Sequence, residues 1–273
     1  MQSLINSALS SGVQGKALAY HLREIGVTSW RSLNIAALWK FRDELARTVA
    51  PSTVKTYCAS LAALIERNSD KLRLPSDWRK ALQARNETPI KTYLTPEELA
   101  RLRGVAPSTK KQAYVKAVFL AAAVTGQRLS DIKATKPEAV QGGVLSYNSI
   151  KTGQTATVPV SASTEALIHE ASEFNGSITV KGFNEIIREL CRKAGINTRV
   201  RVFKAGKALT GEKWQFVSSH TARISFCTNL ARMGVPILDI SRMAGHSSIS
   251  MTERYIVPTA PRLNEQAMRY LGN

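Results

Sequence analysis

Four residues in the stretch 218–257, SSHTARISFCTNLARMGVPILDISRMAGHSSISMTERYIV, are of types that act together on phosphate: His220, Arg223, His246 and Tyr255. Arginine offers a rigid fork of donors to phosphate oxygens, and histidine donates a hydrogen bond or moves a proton. A tyrosine with a pKa of about 10 is ionised to only about one part in a thousand at neutral pH. It needs cationic neighbours or a base to serve as a nucleophile. The set therefore points to phosphate chemistry with a tyrosine nucleophile.

The elements that must position these groups are short helices. His220 and Arg223 are three apart, so at a helix start they share one face. Ile224, Cys227 and Leu230 continue the apolar side of that helix, and Gly234 is placed to end it. Pro236 suits the first turn of a second helix running to about Ala244, with Gly245 as its stop. His246 then falls just past a helix C-terminus. Ser250 and Glu253 predict a capping box, with Tyr255 in or near a short helix.

The pattern His-x-x-Arg, then Gly-His, then Tyr closely resembles the signature of the tyrosine recombinases, the phage-integrase family. Arg223 to His246 is 23 residues and His246 to Tyr255 is nine. The resemblance extends over 95–257. TGQRLSDIKA supplies Arg128 at the family's first arginine, with Asp131 three residues on. VLSYNSIKTGQTATVPVS, 144–161, alternates and turns at Lys151, Thr152 and Gly153, reading as a β-hairpin. Lys151 matches the lysine that reaches the scissile phosphate from that turn. A solvated hairpin-tip lysine is the competing reading.

The resemblance implies a site-specific DNA recombinase or integrase. Tyr255 would attack the scissile phosphate, leaving a 3′-phosphotyrosine and a free 5′-hydroxyl. Arg128 and Arg223 would grip the non-bridging oxygens, Lys151 would protonate the leaving oxygen, His220 would assist proton transfer at Tyr255, and His246 would donate to the phosphate. It implies neither a cofactor nor ATP, and no carboxylate cluster suited to Mg²⁺ stands out. The implied partner is double-stranded DNA carrying a recombination site, bound by a homo-tetramer on two sites, with a monomer or weak oligomer when free. The expected location is the cytoplasm of a bacterial or phage-infected cell, on the nucleoid.

Composition agrees with a polyanionic partner. Of 273 residues, 38 are Lys or Arg and 20 are Asp or Glu, a formal charge of +18. Residues 1–93 carry 14 basic against 7 acidic side chains, and the rest of the chain carries 24 against 13, so both parts are basic. Both halves are expected to face a polyanion, against the plainer reading of a solvated basic surface. Cys58, Cys191 and Cys227 are far apart and in helix-like contexts, reading as buried thiols in a reducing compartment. MQSLINSALSSGVQ lacks the features of a signal peptide, and no run reaches the roughly 18 apolar residues of a membrane span.

The expected fold class is mainly α with a small β-sheet: an N-terminal helical core-binding (SAM-like) domain over 1–86, a linker over 87–94, and an α+β catalytic domain over 95–273. In the first domain, Leu18, Leu22 and Ile25 share a face before a stop at Gly26; Leu38, Phe41 and Leu45 define a second helix. Ser52 is expected to cap a third, with Val54, Tyr57, Leu61 and Leu64 inward, and a shorter helix to start at Ser76. The PSTVKTYCASLAAL stretch resembles the family's core-binding domain, and Lys55 within it is taken as a DNA contact. The domain starts near residue 1, leaving no room for the arm-site-binding domain that some phage integrases carry.

Thr95, Pro96 and Glu98 open the second domain by a capping box. A helix over roughly 109–125 faces Val115, Val118, Phe119 and Ala122 inward and ends at Gly126. Helices are expected at 163–173 and 181–194. Residues 197–217 read as an extended basic excursion, with Val200/Val202 and Trp214/Phe216 alternating. Five basic residues there, Arg199, Arg201, Lys204, Lys207 and Lys213, suggest a DNA-facing strand pair, and the first four are taken as DNA contacts, a solvated hairpin being the alternative. Residues 260–272 are expected to form an amphipathic helix through Leu263, Ala267, Tyr270 and Leu271; the resemblance implies docking on a neighbouring subunit, folding back on its own domain being the alternative.

Two other functions compete. A type IB topoisomerase-like strand-passing enzyme would share the nucleophile without strand exchange. A non-catalytic regulator would use 235–256 as a helix–turn–helix, with Ser247, Ser248 and Arg254 on DNA and Tyr255 in the core. The latter leaves Arg128, Lys151 and the His220–Arg223 pair without a role.

Overall fold

Capping side chains and one proline set where the first helices begin. The computed structural model describes residues 3–84, 91–204 and 206–257. By contacts the chain divides into two units, 1–89 with 203–208, and 90–202 with 209–273. In the first, α1 (Leu4–Leu9) is capped by the Ser3 hydroxyl, and α2 (Gly15–Glu24) follows. Asn34 Oδ1 accepts the Ala37 N–H at 2.9 Å to open α3 (Ile35–Thr48). The helix expected to be capped by Ser52 instead opens two residues earlier, as α4 (Pro51–Glu66) after Ala50. Proline at the first position has its φ preset and lacks an N–H that the helix would leave unpaired anyway. The helix expected from Ser76 is a 3₁₀ turn, Trp78–Leu82. Leu18, Leu22, Leu38, Phe41, Leu45 and Leu61 form the unit's core with no exposed surface. Tyr57 sits half-buried at its margin, with Cys58 inside instead.

The second unit is built around one helix. After α5 (Pro96–Gly104), opened by the Thr95–Glu98 capping box, comes α6 (Lys110–Thr125). It buries more than the single face expected: Ala117, Leu120, Ala121 and Ala123 are covered as well as Val115, Val118, Phe119 and Ala122. A helix apolar nearly all round must be central, and α6 packs against the later helices α8 (Ala162–Ser172), α9 (Val180–Lys193) and α10 (Ser219–Met233). Between them in sequence lie α7 (Leu129–Ala134) and an antiparallel sheet ordered β1 (Val140–Gln141), β2 (Val144–Asn148), β3 (Thr155–Pro159). Its register pairs Leu145 with Val158 and Tyr147 with Ala156, turning Leu145 and Val158 inward.

The basic excursion forms a hairpin, β4 (Arg199–Lys204) and β5 (Lys207–Glu212). Trp214 and Phe216 do not continue the strand alternation: they lie on a 3₁₀ turn, Lys213–Phe216. Lys213, expected with its basic neighbours to face DNA, instead turns inward and anchors that turn through a buried ion pair between its Nζ and Glu98 Oε2 at 2.5 Å. α11 (Ile237–Met243) and α12 (Ile249–Glu253) complete the unit. A second small core of Val158, Phe226, Cys227, Ile240 and Ala244 joins them to α10 and the sheet. All three cysteines are free and buried. The expected 260–272 helix lies outside the described residues. Among the described residues no helix is long and apolar enough to cross a membrane.

Candidate active site

The first turn of α10 carries His220 and Arg223 side by side, as their spacing predicts. Arg223 is 1% exposed, an expensive place for a guanidinium unless its donors are used. Nη1 donates to the Gly126 carbonyl at 2.7 Å. That carbonyl is presented by the left-handed turn ending α6, where φ is 72°. A Cβ there would lie 2.5 Å from the Phe226 ring, so only glycine fits. Nε and Nη2 of Arg223 make no well-formed hydrogen bond among the described residues, although the Tyr147 hydroxyl stands close enough for the guanidinium to act on it.

Arg128 stands at the residue before α7. Its Nη1 donates to Ser149 Oγ at 2.8 Å and lies 3.8 Å from Asp131 Oδ2. The other oxygen of the buried Asp131 carboxylate accepts the Ile150 N–H at 3.0 Å. Asp131 and Ser149 thus tie Arg128 to the turn of the β2–β3 hairpin. Lys151 is the next residue on that turn, exposed, with Gly153 supplying the left-handed position.

His246 follows α11 through Gly245, which is also left-handed. Its ring is buried, with Nδ1 2.9 Å from Thr252 Oγ1 and Nε2 without a partner among the described residues. The short helix bearing Thr252 is capped by Ser248, whose hydroxyl accepts the Met251 N–H at 3.3 Å, not by the expected Ser250–Glu253 pair. Ser248 is the residue whose extended backbone aims its oxygen at the first free amides. Tyr255 lies just beyond that helix, half-buried. Thr228 of α10 brackets it, donating to the Tyr255 carbonyl and accepting the Val257 N–H, both at 3.1 Å.

Around the Tyr255 ring stand His246 at 4.8 Å and His220 at 5.1 Å between centroids. The Arg223 guanidinium is 5.3 Å from the ring centre and the Lys91 ammonium 5.0 Å. Loss of solvation, then the charges of Arg223 and Arg128, then His220, hold the His246 pKa down to about 3. The His220 ring is likewise held down to about 4, first by lost solvation and then by Lys91, Arg223, Arg128 and Lys151. His220 keeps solvent-exposed surface, which screens part of this push. Both imidazoles are therefore neutral at pH 7. When Nδ1 of His246 accepts from Thr252, its single proton sits on Nε2, the nitrogen without a partner.

The fold thus gathers His220, Arg223, His246 and Tyr255, with Arg128 and Lys151 close enough for their charges to act on His220. It does not bring Arg199 or Arg201 to this group: both stand exposed on β4. Lys207 is exposed on β5; for Lys204 only the strand position is described. Lys55 is exposed on α4 of the other unit. Sequence reading missed Lys91, Ser149, Thr228 and Thr252. Lys91 lay in a stretch read as linker, and its neighbour in the site is 164 residues later in the chain.

This fold has known counterparts. The family model for the Phage integrase family matches residues 92–261, and the chain belongs to that family. A protein of Pseudomonas phage Pf1 that carries an integrase name is 28% identical over 223 residues, 79% of this chain and 60% of that protein. Tyrosine recombinase XerA of Pyrococcus furiosus is 29% identical over 181 residues, 64% of this chain and 60% of XerA. The chain therefore spans about three fifths of the length of these relatives. Among solved structures, the Tn1549 transposon integrase in complex with transposon right end DNA superposes with a TM-score of 0.69 at 14% identity, covering 94% of this chain and 92% of that one. The XerH site-specific recombinase bound to a difH substrate gives 0.67 at 15% identity, covering 97% and 79%. A lambda integrase tetramer bound to a Holliday junction gives 0.62 at 15% identity, covering 90% and 72%. These likenesses establish the fold.

Proposed function

We propose that the chain is a site-specific DNA recombinase that cleaves and rejoins strands through a 3′-phosphotyrosine. One observation carries this reading. Among the described residues, three buried nitrogens, Nε and Nη2 of Arg223 and Nε2 of His246, make no well-formed hydrogen bond and lie about one tyrosine ring, with the Tyr147 hydroxyl the nearest competitor for the guanidinium. The non-bridging oxygens of a phosphodiester are the acceptors that such donors require, most strongly as charge builds on them in the transition state.

The chemistry then assigns itself by atom. Tyr255 Oη forms a bond to phosphorus as the bond to the 5′-oxygen breaks. The phenolic proton leaves towards the neutral His220, and a proton reaches the 5′-oxygen from Lys151. Arg128 and Arg223 stabilise the non-bridging oxygens together with His246. Bond count is unchanged, so attack by a 5′-hydroxyl reverses the step without ATP. The helix–turn–helix reading is weaker, because it makes Tyr255 a core residue while its ring is only half-buried and flanked by two cations.

On this reading the partner is a duplex recombination site, with the basic Lys55, Arg199, Arg201, Lys204 and Lys207 on its phosphates. Residues 1–86 and 95–273 act as DNA-binding and catalytic domains across the 87–94 linker. The working assembly is a homo-tetramer on two duplexes, formed from a free monomer or weak oligomer in the bacterial cytoplasm. The test is Tyr255→Phe on a nicked duplex that traps covalent adducts. DNA affinity should survive and the adduct band vanish; an adduct that persists would move the nucleophile to another residue.

A further inference from the structure

Residues 91–94, which lead into α5, are bound along the helix that carries the site. Leu94 is fully buried. Its N–H donates to Ser225 Oγ at 2.8 Å, and its carbonyl accepts from Asn229 Nδ2 at 3.0 Å, one turn further along α10. The Tyr93 hydroxyl accepts from Arg232 on the same helix. At the head of this strap, Lys91 Nζ lies 2.5 Å from the Arg254 carbonyl, so it donates to the peptide unit that begins Tyr255. The same ammonium stands 5.0 Å from the centre of the Tyr255 ring.

Tyr255 needs such anchors. It lies past the end of α12, where its own N–H donates to the Thr252 carbonyl at 2.8 Å but the regular helical ladder has ended. Thr228 holds the carbonyl side of the residue, and Lys91 holds the amide side. With both flanking peptide units fixed, the ring has little freedom in where it directs its oxygen. Among the described residues, the other charged or titratable groups near that ring include His220 and Arg223 from α10 and His246 from the turn after α11, with Cys227 of α10 and Tyr147 of β2 in the same small core. Burial and then the neighbouring Arg254 charge lower the Lys91 pKa below the usual lysine value, so its place is not one an idle lysine would take.

We propose that Lys91 is a positioning residue for the nucleophile: it clamps the Arg254 carbonyl and sets its ammonium against the Tyr255 ring, fixing where the attacking oxygen sits. The proposal rests on the reading of Tyr255 as nucleophile. It is distinct from phosphate binding, because the partner of Lys91 is a backbone carbonyl of its own chain.

The experiment uses the full chain and a nicked duplex carrying the attachment sequence, found by sequencing the DNA junctions that flank the gene. Single-turnover adduct formation is measured at saturating protein, beside DNA affinity at one fixed salt concentration. Lys91→Met should slow adduct formation on the order of tenfold or more, the loss expected for one charge-assisted hydrogen bond. Affinity should change by less than about threefold. Lys91→Arg, which keeps the charge and a donor, should recover most of the rate. A 5′-bridging sulfur, which leaves without protonation, should not rescue Lys91→Met. A Lys91→Met rate equal to wild type, a deficit that disappears at saturation, rescue by the sulfur, or Lys91→Arg as slow as Lys91→Met would each overturn the proposal. Tyr255→Phe runs alongside: adducts surviving in that variant would overturn the nucleophile assignment itself, whatever Lys91 does.

Discussion

Replacing Gly126 with alanine places one methyl group between the two halves of the site. Gly126 has a φ of 72°, and an L-residue held in the left-handed region costs roughly 1–2 kcal/mol. The new Cβ would lie 2.5 Å and 2.6 Å from two carbons of the Phe226 ring. That ring is 4% exposed, packed with Val158, Cys227, Ile240 and Ala244. It cannot step aside freely, and overpacking of this kind costs about 1–3 kcal/mol. The expected destabilisation is the sum, roughly 2–5 kcal/mol, measured by urea unfolding of the full chain. The displacement also enters the site, because the Gly126 carbonyl holds Arg223 Nη1. A shift of about 1 Å in a positioning group can cost about a hundredfold in rate, so adduct formation should fall even under conditions where the variant is folded. Adding Phe226→Leu should recover part of both losses, since the two sites are in contact and do not add independently. A Gly126→Ala variant within about 0.5 kcal/mol of wild type, the range of an ordinary surface change, and cleaving normally would refute this account of the α6–α10 junction.

Asp131→Ala should destabilise by about 1–3 kcal/mol, because it strips the Ile150 N–H of its acceptor and leaves Arg128 without its carboxylate neighbour. Its cleavage defect should be partly relieved by a 5′-bridging sulfur leaving group, since the turn it anchors carries Lys151; no relief would exclude this route. The pH dependence follows from His246, whose folded pKa of about 3 lies below the ordinary histidine value. The unfolded chain binds the proton first, so stability is full above about pH 6.5 and declines as pH falls towards 3. After solvent screening the loss should be about 1 kcal/mol between pH 7 and 5. Urea unfolding of His246→Gln should give a flatter profile, and an unchanged slope would remove His246 as its source. DNA affinity should fall steeply with salt through counterion release, as the +18 charge implies; a titration flat between low and physiological salt would contradict it.

Much of this structure was readable because its signals are local. Gly126, Gly234 and Gly245 mark helix ends by a backbone conformation that other residues avoid, and each sits in that conformation. His220 and Arg223 share a helix face by arithmetic alone. The errors arose where two nearby residues could do the same job: Pro51 opened α4 ahead of Ser52, and Ser248 capped α12 in place of Ser250. Trp214 and Phe216 kept strand-like spacing on a 3₁₀ turn because Lys213 is drawn inward to Glu98, a partner 115 residues away. Lys91, Ser149 and Thr252 were invisible for the same reason. Each touches the site only once the chain has folded, and no period or motif records that contact.

The unspent donors of Arg223 bear on how this protein lives without its substrate. A buried guanidinium with one hydrogen bond where it could make several is a standing defect of the free protein. A phosphodiester that accepts from it binds the native state alone, and so raises the unfolding free energy as any native-state ligand does. On the proposed reading, a DNA phosphodiester would thus act on the stability of the fold as well as being the thing acted upon. A well-packed apolar residue in place of Arg223 would give a sturdier and inert protein. On that reading, the cost of burying Arg223 and its affinity for a phosphate are the same property.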